Sequence, residues 1–261
     1  MSRRGGFRLL PIVLFGLYLG YYFLANREEV PLTGRKQLVD MSREQEASLG
    51  LSSYQQILRQ SAVVRSGPEA ALVKSIGQRI AKVSEDPGFE WQYELIDDNQ
   101  ANAFCLPGGK VAVYTGILPI TQNENGLAVV MGHEIAHAIA RHGNERMSQA
   151  LAIQGAGMTL EALTASKPGL TRDLFLQSYG IGSQLGMLAY SRKHETEADK
   201  MGLVFMAMAG YDPRSAPAFW QRMAAGGGAK PPEFLSTHPS DETRVHDLEA
   251  YMPEALKYYK P

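Results

Sequence analysis

Two histidines and a glutamate stand close together near the middle of the chain, in the order His133-Glu134-Ile135-Ala136-His137. On an α-helix the two histidines are about 40° apart around the axis, with Cβ atoms roughly 5–6 Å apart, so both imidazoles can reach one metal ion. Glu134 projects about 100° further round the helix, where it can hold a water molecule but is badly placed as a ligand. The pattern predicts a zinc site with His133 and His137 as ligands and Glu134 as the general base.

The residues on either side of this pattern predict one helix over residues 122–142. Thr121 and Glu124 match a capping box, and Gly143 stands where a glycine commonly ends a helix. His142 lies about 140° off the ligand face and is predicted to be a cation at the helix end. The alternative is a helix that carries the pattern by accident, but two histidines on a half-buried helix need a partner.

Length and composition exclude several classes of protein. The 261 residues suffice for one well-buried domain and an appendage. Lys and Arg number 26 and Asp and Glu number 27, which gives a net charge of −1, so no basic field is expected to hold nucleic acid.

Gly180 and Gly182 lack the third glycine of a dinucleotide-binding fingerprint, so no nucleotide is expected. Cys105, the single cysteine, is predicted to be a small buried hydrophobe.

The N-terminus has the features of a membrane segment. Residues 1–8 carry three arginines, and residues 9–25 form a run of 17 residues without charge. Such a length is at the lower limit for a span, so a cleaved signal peptide is the alternative to an uncleaved anchor. The arginines predict a cytoplasmic N-terminus at 1–8, a transmembrane anchor at 9–25 and the remainder of the chain outside.

The rest of the chain is predicted to be a linker at residues 26–41 and one domain at 42–261. Apolar spacing and turn residues predict helices at 42–60, 68–84, 145–165 and 171–209 and strands at 90–96, 103–106 and 111–114. The expected fold class is therefore α+β and mostly helical, with a small sheet beside the active-site helix.

A catalytic zinc takes three protein ligands and leaves one position for water, so a further ligand is needed. Gly143 occupies the place, six residues after His137, where one subclass of such enzymes has a histidine. Another subclass takes a glutamate from a second helix. Glu195 and Asp199 are four residues apart and share a helix face, so Glu195 can bind the metal while Asp199 accepts the outer N–H of a liganding histidine. The alternative for Asp199 is an ordinary helix acid.

Three other residues near this segment are expected away from the metal. Glu197 points to another side of the same helix, and His194 and His246 are predicted on the surface.

Four stretches resemble the HtpX-like and CAAX-prenyl-protease superfamily of zinc metallopeptidases: Asn102-Ala-Phe-Cys-Leu-Pro-Gly-Gly, the His133 motif, residues 191–199, and Ser236-Thr-His238-Pro. The likeness covers residues 40–250 or so. The chain looks most similar to single-anchor bacterial periplasmic members and to the mitochondrial inner-membrane stress protease. The resemblance implies a gluzincin-type zincin with one Zn²⁺, and the choice of Glu195 as third ligand rests on it.

In the superfamily, the histidine and arginine that match His238 and Arg244 flank the active site. We therefore expect His238 to donate to the oxyanion that develops on the attacked carbonyl. Arg244 either shares this task or pairs with Asp199. In a resting enzyme His238 could instead be a fourth zinc ligand, which would make residues 226–240 a latch.

Asn102, Ala103 and Phe104 are predicted to form an edge strand above the cleft, where an extended polypeptide would add by backbone hydrogen bonds. The alternative is that these residues are ordinary sheet core. Binding by strand addition depends on backbone hydrogen bonds rather than on particular side chains. We therefore expect unfolded or extended protein substrates with loose side-chain preference.

The expected function is a membrane-anchored zinc endopeptidase that removes unfolded or misassembled membrane and envelope proteins. It would be a single-pass protein of the inner (cytoplasmic) membrane with its catalytic domain on the periplasmic side. The natural partner stays open between a second copy of the chain and an envelope protein. The alternative function is a zinc-stabilised, chaperone-like binding module with little turnover, since the same ligands could hold a closed structural site.

Overall fold

The structure, a computed structural model, describes residues 10–84, 88–154, 168–179, 190–225, 233–238 and 243–260. The helices are α1 Leu10–Ala25, α2 Arg43–Gln60, α3 Pro68–Val83, α4 Leu118–Thr121, α5 Glu124–Ile139, α6 His142–Gln154, α7 Pro168–Ser178, α8 Arg192–Met208, α9 Ser215–Ala225, α10 Glu233–Thr237 and α11 Thr243–Ala255. The strands are β1 Arg27–Glu29, β2 Lys36–Leu38, β3 Val63–Val64, β4 Gln92–Ile96, β5 Ala103–Leu106 and β6 Lys110–Tyr114. A mostly helical α+β fold is confirmed.

The main sheet has the strand order β3-β4-β6-β5. β4 and β6 are parallel, while β3 and β5 pair antiparallel at the two edges. Alternate residues of a strand point to opposite faces, and both faces of β5 are covered. Ala103 and Cys105 belong to the core that contains α5, and Phe104 and Leu106 to the core that contains Tyr54 of α2. The edge strand nearest to α5 is therefore buried on both faces.

Cys105 fits its predicted role. Its side chain is buried, and burial raises the pKa of the thiol well above its ordinary value. The group stays neutral and acts as a small apolar side chain.

The helix that carries the H-E-x-x-H pattern is shorter than predicted. α5 begins after Asn123, whose Oδ1 accepts the backbone N–H of Gly126 at 3.0 Å, so Asn123 rather than Thr121 is its cap. α5 ends before Arg141, which has a left-handed φ of 58°. Gly143 does not end α5 but lies in the first turn of α6.

Tertiary contacts explain the break at Arg141. Its guanidinium forms ion pairs with Glu28 and Glu46 and also donates to the carbonyl of Met41. These partners hold a non-glycine residue in a strained backbone conformation. Gly143 faces Tyr179, where a Cβ atom would lie 2.3 Å from the ring.

Two other predicted segments differ from the structure. The linker at 26–41 contains an antiparallel hairpin of β1 and β2, with Val30 and Leu38 buried. The single helix predicted at 171–209 is interrupted, because α7 ends at Ser178 and α8 begins at Arg192. Residues 155–167, 180–189, 226–232 and 239–242 lie outside the described residues, and with them part of the predicted latch.

α1 covers 16 residues of the predicted membrane segment. In the described part of the chain, no helix is both long enough and apolar enough to cross a membrane. The transmembrane role of residues 9–25 stays a prediction.

α5 and α8 cross at two glycines. A Cβ atom on Gly132 would lie 3.0 Å from the carbonyl oxygen of Gly202, and one on Gly202 would lie 2.9 Å from the backbone nitrogen of His133. Each glycine therefore allows the other backbone to approach. This crossing sets the distance between His133 on α5 and Glu195 on α8.

We expect Gly202→Ala to push α5 and α8 apart and to lower the free energy of unfolding by about 1–3 kcal/mol, the usual cost of overpacking. Urea denaturation measures it, with Gly20→Ala as the control because nothing lies within 4 Å of a Cβ there. Equal stability of the Gly202→Ala variant and the wild type would contradict this account of the crossing.

Candidate metal centre

The two motif histidines converge as the helix geometry requires. His133 and His137 lie one turn apart on α5, and each side chain is buried. Their Nε2 atoms are 3.1 Å apart. The two nitrogens therefore face a common point.

Glu195 from α8 and His238 from the end of α10 bring two further donors to this point. The carboxylate of Glu195 lies 3.4 Å from Nε2 of both His133 and His137. Nδ1 of His238 lies 3.3 Å from His133 Nε2 and 3.1 Å from Glu195 Oε1. Four ligand atoms of a tetrahedral zinc, at about 2.0–2.1 Å from the ion, are about 3.3–3.4 Å apart. The three imidazole nitrogens and the Glu195 carboxylate, which faces His133 with Oε2 and faces His137 and His238 with Oε1, therefore match a zinc site in ligand type and lie close to this spacing.

The charge states of these groups depend on burial and on their neighbours. Burial raises the pKa of Glu195, but His238, Arg244 and His133 outweigh this and hold it well below its ordinary value. Burial also lowers the pKa of His137 well below its ordinary value, which keeps the imidazole neutral as a ligand must be. Glu195 and His137 thus present lone pairs to a cation.

His133 is more basic than its neighbour. Burial lowers the pKa of His133, but the carboxylates of Glu195 and Asp199 outweigh this and raise it to about 9. These same two negative charges favour a dication beside the ring.

Asp199 and Arg244 support the ligands from behind. Oδ1 of Asp199 lies 2.9 Å from Nδ1 of His133, where it can accept the outer N–H of a liganding imidazole. Arg244 donates to both oxygens of Asp199, at 2.7 and 2.8 Å, and its Nη1 lies 3.0 Å from Glu195. Of the two predicted roles for Arg244, pairing with Asp199 is the one that this geometry displays.

Glu134 is buried beside the four donor atoms. Burial raises its pKa, although His238 and His133 act in the opposite direction. Its Oε1 is 3.4 Å from His238 Nε2 and accepts no hydrogen bond within the described part of the chain. A buried carboxylate oxygen without a donor is available to hold a water molecule, which is what a general base needs.

Two predicted surface roles are wrong. His142 is buried in α6, and burial lowers its pKa to about 4, so it is neutral rather than a cation at a helix end. His194 is buried as well, with Nε2 3.0 Å from Glu145.

Glu197 points away from the metal centre as predicted, and its carboxylate is hydrogen-bonded to His142 and Arg35. His246 is exposed, as predicted.

Aromatic side chains that sequence reasoning missed enclose the imidazoles. Tyr190 lies with its ring centroid 4.0 Å from that of His137 and 5.0 Å from that of His238. Phe234 stacks on His238 at 4.4 Å, and Trp220 is 5.4 Å from His133. Tyr190 directly precedes Ser191, the cap of α8, and no pattern in the sequence marks it as a functional residue. The three rings therefore pack directly against the imidazoles of the centre.

The predicted substrate strand lies at a sheet edge. Ala103 and Phe104 begin β5, and Oδ1 of Asn102 accepts the backbone N–H of Ala103 at 2.9 Å. The carbonyl of Ala101, just before β5, accepts the backbone N–H of Phe234 at 3.2 Å. The short helix α10, which directly precedes His238, is therefore tied to the start of the predicted substrate strand.

A helix with H-E-x-x-H and a glutamate and an aspartate four residues apart on a second helix define a metallopeptidase of the zincin class. The sequence profile of peptidase family M48 matches residues 68–252, and the chain belongs to that family. The chain is therefore a metalloendopeptidase, and the superfamily resemblance seen in the sequence is confirmed.

Relatives in several organisms are named as metalloendopeptidases or proteases. Mitochondrial metalloendopeptidase OMA1 of Schizosaccharomyces pombe is 36% identical over 243 residues, which cover 90% of this chain and 69% of that protein. The mitochondrial metalloendopeptidase OMA1 of Homo sapiens is 33% identical, over 93% of this chain and 49% of that protein. The beta-barrel assembly-enhancing protease of Escherichia coli is 30% identical, over 86% of this chain and 47% of that protein.

We expect Asp199→Asn to weaken zinc binding about 10–100-fold, because the outer N–H of His133 loses its carboxylate acceptor and Arg244 loses the charge of one of its two carboxylate partners. Competition with a chromophoric chelator measures the zinc Kd. Asp212→Asn, which changes an acid paired with the exposed Arg214, is the control and leaves the Kd unchanged. An unchanged Kd for Asp199→Asn would mean that Asp199 does not support a ligand.

Proposed function

We propose that the protein is a membrane-associated zinc endopeptidase that cleaves extended or unfolded polypeptides. One observation carries the proposal: the buried carboxylate of Glu134, with a free acceptor oxygen, lies beside three imidazole nitrogens and a carboxylate at the spacing of a zinc tetrahedron. A closed structural metal site has no use for such a base. His133, His137 and Glu195 are the three ligands in this proposal.

Zinc, when bound, supplies a positive charge that polarises the substrate carbonyl and makes a nearby water more acidic. Glu134 takes a proton from the attacking water and later delivers it to the leaving amine. The raised pKa of Glu134 suits a group that must both accept and return a proton near neutral pH. Asp199 and Arg244 keep His133 and Glu195 in position.

His238 is assigned to the resting state in this proposal. Its Nδ1 occupies the fourth corner of the ligand tetrahedron, where a catalytic site needs room for water. The backbone N–H of His238 donates to the carbonyl of Phe234 at 2.8 Å, and the N–H of Tyr190 donates to that of Thr237. His238 must withdraw before hydrolysis, and the withdrawn imidazole could then donate to the oxyanion.

The proposed substrate site is the outer edge of β5. Binding there would begin near Asn102, where Phe234 now occupies the carbonyl of Ala101. Withdrawal of His238 with its helix would thus free the fourth metal position and part of the strand edge together. This coupling suits extended segments, since a strand edge binds any backbone that can adopt the same conformation.

The proposed setting is a membrane. α1, which is apolar and has several exposed large side chains, would be a single anchor within residues 9–25, with the catalytic domain on the periplasmic side of the inner membrane. Quality control of membrane or envelope proteins is the proposed role, and the name of the Escherichia coli relative, a beta-barrel assembly-enhancing protease, supports it.

The second candidate is a zinc-stabilised, chaperone-like binding module. The four converging protein donors favour it, because a structural zinc is fully coordinated by the protein. Membership of a peptidase family and the buried base favour turnover instead. The two functions predict different effects of replacing Glu134 on peptidase activity.

We expect Glu134→Gln to keep one zinc per chain and to lose peptidase activity by roughly 10²–10⁴-fold, the range that a general base contributes. Cleavage of an unstructured fluorogenic peptide and zinc analysis of the purified full chain measure the two properties. Glu134→Gln with wild-type turnover would reject the proposed mechanism, and a wild-type protein without turnover on any extended peptide would favour the binding module.

We expect His238→Ala to raise the basal rate of peptide cleavage several-fold while three ligands still hold the zinc. The same peptide assay tests it, with His246→Ala on the exposed face of α11 as the control. A fall in kcat of about 10²–10³-fold would instead show that donation to the oxyanion is the main role of His238.

A further inference from the structure

The outer nitrogen of His137 meets a second histidine. Nε2 of His137 faces the donor atoms of the metal centre, so its Nδ1 points away from them. That Nδ1 lies 2.9 Å from Nδ1 of His142. An imidazole that offers the Nε2 lone pair to a metal carries its proton on Nδ1 and donates it to a neighbour. His142 Nδ1 is that acceptor.

This contact fixes the tautomer of His142. Because its Nδ1 must offer a lone pair to His137, its own proton is on Nε2. Nε2 of His142 lies 3.0 Å from Oε2 of Glu197, which accepts that proton in a hydrogen bond. A carboxylate thus orients His137 through an intervening imidazole, whereas Asp199 orients His133 directly.

The hairpin of β1 and β2 holds Glu197 from the opposite side. Thr33 donates its hydroxyl to Oε1 of Glu197, and Nε of Arg35 donates to Oε2 at 2.6 Å. The remaining guanidinium nitrogens of Arg35 donate to both oxygens of Glu145, at 3.0 and 2.7 Å. Arg35 therefore fixes two carboxylates with one side chain.

The hairpin is also continuous with α1. The backbone N–H of Asn26, between α1 and β1, donates to the carbonyl of Tyr22 at 3.1 Å. Nε2 of Gln37 on β2 donates to the carbonyl of Ala140 at 2.8 Å, at the end of the helix that carries His137. The N-terminal segment thus contacts both helices of the metal centre.

We infer that Arg35, Glu197 and His142 form a relay that fixes the tautomer and orientation of His137, so that the N-terminal hairpin is a positioning element of the metal centre. All three are positioning residues, because each acts on the metal through another side chain. The inference rests on the proposed role of His137 as a ligand.

A neighbouring pair of residues provides a matched control. Glu145 accepts from Arg35 just as Glu197 does, and its oxygen lies 3.0 Å from Nε2 of His194. The rings of His142 and His194 stack with centroids 4.7 Å apart, and both side chains are buried. The two pairs share residue types, burial and the partner Arg35. Of these two histidines, His142 has a hydrogen bond to His137 and His194 has none within the described part of the chain.

The first test compares the two histidines in the full chain, with the zinc Kd measured by chelator competition. We expect His142→Phe to weaken zinc binding about 10–100-fold, as loss of a ligand's hydrogen-bond partner typically does. His142→Asn, whose side-chain oxygen can replace Nδ1 as an acceptor, recovers most of this loss. His194→Phe leaves the Kd within about twofold of the wild type. Equal losses for His142→Phe and His194→Phe, or no loss for His142→Phe, would overturn the relay.

The second test compares the two carboxylates. We expect Glu197→Gln to weaken zinc binding and Glu145→Gln to leave it unchanged, although both variants lower the midpoint of thermal unfolding by removing a buried negative charge that pairs with Arg35. Nitrogen-15 NMR of the imidazoles gives a direct signature, since the relay requires His142 to be protonated on Nε2. A proton on Nδ1 of His142, or equal effects of the two Gln variants on the Kd, would contradict the inference.

His137→Asn separates this inference from the proposed function. Loss of zinc from His137→Asn combined with an unchanged Kd for His142→Phe would overturn the relay alone. Retention of zinc by His137→Asn would overturn the ligand assignment and the relay with it.

Discussion

Several ionisable side chains of the metal centre are removed from water, and burying charge without compensation is costly. Glu134, Glu195 and Asp199 are all buried, as is Arg244. When all four are ionised, three negative charges against one positive charge leave an excess of two negative charges. A divalent cation at the point where the donor atoms converge balances this excess.

The buried charges are balanced because α5, α8, α11 and the N-terminal hairpin bring oppositely charged groups close together. Gly132 and Gly202 let α5 and α8 approach, so that the motif histidines and Glu195 face one point. Arg244 from α11 neutralises the acids of α8, and Arg35 from the hairpin does the same for the acids beneath His137. His133 and His137 each have a hydrogen-bond partner on the far side of the ring, and Glu195 has an ion pair with Arg244. A rigid set of donors of this kind is what allows one ion to be bound tightly and in one geometry.

Local patterns in the sequence were sufficient for two pairs of residues, His133 with His137 and Glu195 with Asp199. The choice of Glu195 as a ligand and the role of His238 came from the resemblance to the superfamily. The four-residue spacing of His133 and His137 is a property of any α-helix, and so is that of Glu195 and Asp199. The strands β4, β5 and β6 were also evident from alternation, to within two residues. In each case the information lay within one turn or one strand.

The rest depended on contacts between distant segments. Arg141 has no local reason to adopt a left-handed conformation, and it does so because Glu28, Glu46 and the Met41 carbonyl bind its side chain. Because the helix breaks at Arg141, His142 turns inward and is buried. A prediction that treats residues 122–142 as one continuous helix places His142 on another side. The hairpin looked like a linker because its strands have only three residues each. Tyr190 was missed because an aromatic residue before a helix cap is no signal of function.

In the proposed resting protein, one zinc ion is held by three imidazoles and one carboxylate. X-ray absorption spectroscopy at the zinc edge of the full-length, zinc-loaded protein measures this coordination. We expect four-coordinate zinc with three imidazole nitrogens and one oxygen at about 2.0–2.1 Å. A spectrum with only two imidazole nitrogens would remove His238 from the resting site. A spectrum of six oxygen ligands would contradict the metal centre as a whole.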